Sequence, residues 1–240
     1  MGVHNSCMID RYKLRRIIVV LLSLFALASV IVTNTPNQSV PSKPVEIKNT
    51  QNVSSMASQE LDKLAIKGRA PKTNYSREQF GASWTIVKGC DTRNIILNRD
   101  LADAIVDEKC NVTSGKLNDP YTGKIIQFTR GSDTSGAIQI DHVVALSDAW
   151  QKGAQQFTLG RRIELANDPI ELLAVDGAAN LQKSDGDAAT WLPSNKAFRC
   201  QYVARQIAVK SKYGLWVTRA EYDAIKIILN KCPDQLLPKP

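Results

Sequence analysis

The sequence predicts an α+β fold: one small domain of short strands and several helices, stapled by two disulfides. Three observations carry this expectation. Of 240 residues, 43% are hydrophobic and 22% charged, ordinary for a globular chain and too apolar for a disordered one. Apolar residues recur at helical spacing in some stretches and form short β-branched runs in others. Four of the five cysteines fall in the region that carries this patterning, an even number that an oxidising compartment would pair.

The N-terminus is set apart from that domain. Arg11, Lys13, Arg15 and Arg16 precede an unbroken apolar run from Ile17 to Val32, the pattern of an export signal or signal anchor over residues 1–33. Ala26-Leu27-Ala28 offers a cleavage site, and the run is slightly short for a spanning helix. Cleavage gives a secreted protein; retention gives a membrane-anchored one with an extracellular domain. In both cases the basic flank stays behind and the chain after Thr33 is exported. Residues 34–58, with Pro36, Pro41 and Pro44 among Ser, Asn and Thr, read as an unstructured spacer. The folded domain is expected over 59–232, followed by a fraying tail at 233–240.

Within the domain, Ser58 to Ile66 and Asn94 to Ala104 have helical spacing. Gly115 to Phe128 is turn-rich, with one short strand from Ile125. Ile138 to Leu146 (IQIDHVVAL) is β-branched enough for a strand, and Ser147 to Phe157 and Leu159 to Ala166 read as helices. Asp168-Pro169 breaks the pattern before a second strand, Ile170 to Val175, which ends at the turn Asp176-Gly177. A short helix over Ala178 to Lys183 follows. Lys196 to Tyr213 is amphipathic, and a last helix runs from Thr218 to about Asn230, with Glu221 placed for a capping box.

Cys90, Cys110, Cys200 and Cys232 admit three pairings. Cys90 with Cys110 and Cys200 with Cys232 each close a local loop and are the pairs expected. Each such loop would be worth about 3 kcal/mol in the chain-entropy model. Two histidines, His4 and His142, and the absence of any Cys-x-x-Cys exclude a multi-histidine centre and a four-cysteine zinc knuckle.

Histidine chemistry in the domain therefore has one address, His142, directly after Asp141 on an apolar strand. Successive strand residues point to opposite faces, so this pair can serve one site only where the strand bends or ends. The polar run from Asn180 to Asp185 on the short helix is the element that would meet it. The excess of 31 Lys plus Arg over 23 Asp plus Glu, a formal charge of +8, includes Lys152, Arg161, Arg162, Lys183, Lys196 and Arg199 around this unit, a lining suited to a phosphate backbone.

Asp141-His142-Val143-Val144, then Asn167-Asp168-Pro169-Ile170-Glu171-Leu172-Leu173, then Asn180-Leu181-Gln182-Lys183-Ser184-Asp185 resemble the HNH nuclease superfamily, whose core is a ββα unit around one divalent metal. Lys67-Gly68-Arg69-Ala70-Pro71-Lys72-Thr73, Tyr75-Ser76-Arg77, Cys90-Asp91-Thr92-Arg93, Asp119-Pro120-Tyr121-Thr122-Gly123 and Lys210-Ser211-Lys212-Tyr213-Gly214-Leu215 further resemble exported HNH-family proteins of actinobacteria that carry the domain of unknown function 1524. Ala145 stands where many such proteins have Pro, and Asn180 where they often have a second His.

The resemblance implies a metal-dependent, largely sequence-independent endonuclease acting on DNA, with RNA not distinguished from it. His142 would be the general base. Asp141 and Asn180 would ligate one divalent cation, Mg²⁺ or Mn²⁺, through hard oxygens, and Asn167 would support the site by bonding backbone groups. Lys183, Arg161, Arg162 and Arg93 are the candidate phosphate contacts. Trp84, Trp150, Trp191 and Trp216 are candidates for base stacking, though such residues are mostly core. The expected partner is nucleic acid, met through its phosphates by a monomer, with the membrane as a second partner if the leader is retained. The alternative is a non-catalytic nucleic-acid or cell-surface binding protein on the same scaffold.

Overall fold

The computed structural model describes residues 56–238, which lie within the compact unit Asn52–Pro240; the expected leader and nearly all of the expected spacer fall outside the described residues. Among the described residues no helix is long and apolar enough to cross a membrane. In chain order the elements are α1 (Ala57–Leu61), β1 (Ile86–Val87), β2 (Cys90–Asp91), α2 (Thr92–Asp100), β3 (Ala102–Val106), β4 (Val112–Asn118) and β5 (Ile125–Thr129). Then come β6 (Ile138–His142), α3 (Leu146–Gln151), α4 (Leu159–Ala166), β7 (Leu172–Asp176), α5 (Gly177–Lys183), α6 (Arg199–Tyr213) and α7 (Arg219–Leu229). This is the mixed α and β composition expected.

The helices start where side chains can cap them. Asp91, Thr158 and Asp176 each accept a backbone N–H from the first turn of α2, α4 and α5, and Thr218 with Glu221 forms the complete capping box of α7. Such caps satisfy donors that have no partner inside the helix.

Among the described residues three sheets form: β1–β2, the antiparallel meander β3–β4–β5, and the antiparallel hairpin β6–β7. Both faces of the hairpin are covered. Ile138 and Ile140 of β6, with Leu172 and Ala174 of β7, belong to a cluster with Ile96 and Leu97 of α2 and Leu117 and Phe128 of the meander. Leu173 and Val175 point the other way, into the larger cluster with Leu146, Trp150, Tyr202, Ile207 and Ile225. A strand buried on both faces reads as nearly continuous hydrophobic sequence, as β7 (LLAVD) does, whereas β6 (IQIDH) alternates, with Gln139 and Asp141 on the face toward α5.

Helix α5 follows β7 directly and packs against β6. A Cβ on Gly177, the first residue of α5, would stand 2.2 Å from the carbonyl oxygen of Gly136, so the approach of this helix to the start of β6 requires glycine.

Several expectations are corrected. α1 ends at Leu61 rather than Ile66, and Ile66 instead bridges Val217. α2 stops at Asp100, and the residues after it form β3. β6 ends at His142, and Leu146 already begins α3. Within the described part of the tail, Leu236 bridges Met56 and the Ala57 N–H donates to the Gln235 carbonyl.

Cys90 pairs with Cys110 and Cys200 with Cys232, closing loops of 20 and 32 residues. The second ties the start of α6 to the segment after α7. Replacing Cys200 and Cys232 together by Ser should lower unfolding free energy by about 3 kcal/mol. Denaturant titration of the oxidised parent against the double variant checks this.

Candidate functional site

Asp141 and His142 are the last two residues of β6, paired with Leu173 and Leu172 of β7. The strand alternation sends them to different faces, and the end of the strand lets both reach one cleft. That cleft, about 450 Å³, is lined by Asp141, His142, Asn180, Asp185, Lys72 and Arg77, among others.

Asp141 shares a face with Gln139, and α5 lies along that face. Asn180 and Lys183, three apart and so on one side of the helix, reach the two strand residues. Asn180 Nδ2 donates to Gln139 Oε1 at 2.8 Å. Lys183 Nζ donates to Asp141 Oδ1 at 2.9 Å and to the His142 carbonyl at 2.8 Å. The Tyr121 hydroxyl donates to Asp141 Oδ2. Burial raises the Asp141 pKa, opposed by Lys183 and by the Tyr121 hydrogen bond.

His142 shares the other face with Ile138 and Ile140. Its Nε2 lies 3.0 Å from the Ala166 carbonyl oxygen. A carbonyl can only accept, so Nε2 carries the proton, and in the neutral ring Nδ1 is then the basic nitrogen. Trp84 stacks over the ring, with centroids 5.7 Å apart and planes 5° off parallel. Burial, and next the charge of Arg77, depress the His142 pKa to about 3 against the pull of the Ala166 carbonyl. The imidazole is therefore neutral at physiological pH.

Asn167, at the C-terminus of α4, accepts the Thr85 N–H at 2.9 Å and donates to the Ile163 carbonyl at 2.9 Å. It ties the segment after Trp84 to the helix that ends beside Ala166. Glu171 is fully buried in the turn into β7; burial raises its pKa well above the carboxylate range, and its Oε2 accepts the Val144 N–H at 3.1 Å.

Half of the cationic lining expected from the sequence is turned inward: Lys152, Arg162 and Lys183 are buried, Arg161 and Lys196 are exposed and Arg199 is half-buried. Lys183 is consumed by Asp141. Arg162 is buried and donates to the Gln79 carbonyl at 2.7 Å, to Gln79 Oε1 and to the Phe157 carbonyl. Lys152 sits in a buried network described below. None of these three offers a phosphate its charge, because each has its hydrogens committed within the core.

Arg93 donates to the Ile138 carbonyl, at the start of β6, and about 13 Å of strand separates that residue from His142. Arg161 is exposed but lies over the Phe157 and Tyr213 rings. Of the tryptophans, Trp150 and Trp191 pack on other aromatic rings and the Trp216 indole N–H is held by the Gly68 carbonyl; Trp84 is the one at the site.

Sequence reasoning gave no role to Tyr121 or Arg77. Tyr121 is carried by the turn between β4 and β5, where buried Asp119 accepts the Thr122 and Asp176 N–H groups. Its signal was the quoted Asp-Pro-Tyr-Thr-Gly segment. Arg77 stood in the quoted Tyr-Ser-Arg.

For a metal, the donor set is one carboxylate and one amide oxygen. Among the described residues no cluster of three or more His, Cys, Asp or Glu could cage an ion. Two hard protein ligands with water filling the rest nonetheless fit Mg²⁺, which keeps several waters. Asn180 uses its amide nitrogen for Gln139, so its oxygen is the end available to a ligand, and each Asp141 oxygen takes one hydrogen bond out of roughly two it can accept. The Lys183 ammonium on the same carboxylate is the competing cation.

Residues 91–226 match the family model of GmrSD restriction endonucleases, C-terminal domain. A protein of Arthroderma benhamiae, described as an uncharacterized secreted protein, is 35% identical over 213 residues, covering 88% of this chain and 98% of its own length. That relative is fungal, whereas the sequence motifs pointed to actinobacterial proteins. No solved structure matches.

Proposed function

This chain belongs to the family of GmrSD restriction endonucleases, C-terminal domain, and from that premise we propose that it is an exported, divalent-metal-dependent endonuclease of the HNH type. Its substrate is the phosphodiester backbone of DNA, with RNA as the second candidate. The observation that carries the reading is His142, held as the Nε2–H tautomer by Ala166 on the wall of a cleft that also presents Asp141 and Asn180. The order β6, β7, α5 is compatible with the ββα order that the sequence resemblance implies, and supports the reading on that ground.

In this reading His142 Nδ1 takes a proton from the attacking water, and the carbonyl of Ala166 stabilises the imidazolium that forms. Trp84 keeps the ring oriented. Asp141 and Asn180 would hold Mg²⁺ or Mn²⁺, with Lys183 and Tyr121 fixing the carboxylate. A metal bound there would polarise the phosphate and neutralise charge on the departing 3′ oxygen. Water addition with loss of that oxygen leaves a 5′ phosphate and a 3′ hydroxyl. In this reading cleavage is largely independent of sequence, met through the phosphate backbone, and the chain acts as a monomer.

Export rests on the basic flank and apolar run of the leader, on two disulfides, and on a relative whose name includes secretion. The competing reading, a nucleic-acid or cell-surface binder without catalysis, is favoured by one observation: Lys183 already neutralises Asp141.

Incubating the full chain with supercoiled plasmid, in Mg²⁺, in Mn²⁺ and in EDTA, separates the two. The nuclease nicks in divalent metal and stops in EDTA. Retention of plasmid without nicking under all three conditions gives the binder.

A further inference from the structure

Arg77 begins the 3-10 turn Arg77–Phe80 and is exposed. It lines the 450 Å³ cleft with Asp141 and His142, and it also lines a second cavity of about 410 Å³ beside Phe80, Trp84 and Asn167. Both volumes fall in the roughly 300–1,000 Å³ range of pockets that accept small-molecule-sized groups. Arg77 is thus on the ridge between two adjoining pockets, and the wall of that ridge is the Trp84–His142 stack with its Ala166 anchor.

The other cations near the cleft are already paired. Lys183 holds Asp141, Lys72 holds Asp185 at 3.2 Å, and Arg162 is spent on Gln79 and Phe157. Arg77 makes no ion pair among the described residues. Glu78, which follows it, lines the second cavity and not the first, where the carboxylates Asp141 and Asp185 are each already paired with a lysine.

The turn that carries Arg77 is also rigidly mounted. Phe80 and Tyr75 pack against Trp150 with ring centroids 6.3 and 6.0 Å away, and Arg162 clamps Gln79 from α4. A guanidinium on a fixed turn loses little freedom when it meets a phosphate, and its planar fork matches two non-bridging oxygens.

We propose that Arg77 contacts the substrate, holding the non-bridging oxygens of the phosphate next to His142, while the two flanking nucleotides occupy the two cavities. A phosphodiester is a charge between two bulky neutral groups, and a lone guanidinium between two pockets is its complement. This rests on the nuclease reading above and names the residue that grips its substrate.

The test uses the full chain and its Arg77→Gln and Arg77→Lys variants. Plasmid nicking in Mg²⁺ gives kcat and KM, and retention of labelled DNA in EDTA over a salt series gives the number of phosphate contacts. Arg77→Gln should lower kcat/KM about 10²-fold, the usual loss for one donor to transition-state charge, and reduce the log–log salt slope by about 1. Arg77→Lys should recover part of the rate, since it restores charge without the fork. Thermal unfolding should be unchanged in both, the side chain being exposed.

Nicking by Arg77→Gln within threefold of the parent, with the same salt slope, overturns the proposal. So does a large loss of rate with an unchanged slope and no recovery in Arg77→Lys, because Arg77 would then act on His142 and not on the phosphate. If the parent retains DNA but does not nick it, the hydrolytic reading fails, and a slope reduced by 1 in Arg77→Gln still supports the contact. A parent that neither nicks nor retains DNA overturns both.

Discussion

Lys152→Met should cost about 3–5 kcal/mol of unfolding free energy, the usual consequence of removing one partner from a buried charge cluster. Lys152 is fully buried, and its three ammonium hydrogens face Asp148 at 2.7 Å, Asp187 at 2.8 Å and Glu221 at 2.6 Å. Lys210 lies 2.7 Å from Glu221 and 3.3 Å from Asp148, and Arg69 reaches Asp148 and Asp187 at 3.0 and 2.7 Å. Three carboxylates and three cations balance, all of them buried except Arg69.

Burial opposes the charge on Asp187, yet Lys152 and Arg69 hold its pKa down at about 2. With Met at 152, three carboxylates share two cations, and one negative charge is buried without compensation. Glu221→Gln added to Lys152→Met restores the balance and should recover part of the loss. The exposed pair of Arg219 and Asp223, 3.8 Å apart, is the control: Arg219→Ala should cost well under about 1 kcal/mol. Denaturant unfolding of the four proteins checks the set, and a Lys152→Met cost below about 1 kcal/mol would contradict it. The network joins α3, α6 and α7 to the segment after α5, so it also fixes two walls of the cleft.

This cluster shows where the sequence was legible and where it was not. Thr218 with Glu221 was readable as a capping box because the motif is local. That Glu221 also meets Lys152 and Lys210 was not, since those partners come from distant segments. The same limit made Lys152, Lys183 and Arg162 look like a lining for phosphate. A cation count sees neither the carboxylates opposite nor the burial of the long aliphatic stems.

β7 was legible because both its faces are covered, which leaves an apolar signal along the run, and β6 because Ile138 and Ile140 lead into the β-branched pair Val143-Val144. β3 was not: Ala102-Asp103-Ala104-Ile105-Val106 is mostly exposed, with little period-2 contrast. β4 hides behind Gly115, whose Cβ would stand 2.8 Å from Leu101 Cδ2, so a residue that reads as a turn is there for a close approach. At the site, Asp141, His142, Asn167 and Asn180 were named from their motif and do gather around the end of β6. Arg77 and Tyr121 had no motif role, because only the packed chain shows what they face.

The second large effect is at His142. His142→Ala should lower the nicking rate by about 10²–10⁴-fold, the range for a general base. No other imidazole can take over, since His142 is the one histidine among the described residues. The variant also leaves the Ala166 carbonyl without the imidazole N–H and a gap beneath Trp84, costing about 1–3 kcal/mol of stability. The loss of rate must therefore be measured well below the unfolding temperature of the variant, where that cost leaves the population folded. His142→Asn, which keeps a donor for Ala166, should fold better than His142→Ala and be as inactive, separating the base from its structural hydrogen bond.

The most direct test is the initial rate of nicking of supercoiled plasmid in Mg²⁺ by the folded full chain beside its His142→Ala and His142→Asn variants. Activity in the parent that falls at least about 10²-fold in both variants is the predicted result. Equal nicking by parent and variants, or none by a folded parent, would contradict the assignment of the β6 terminus as a hydrolytic centre.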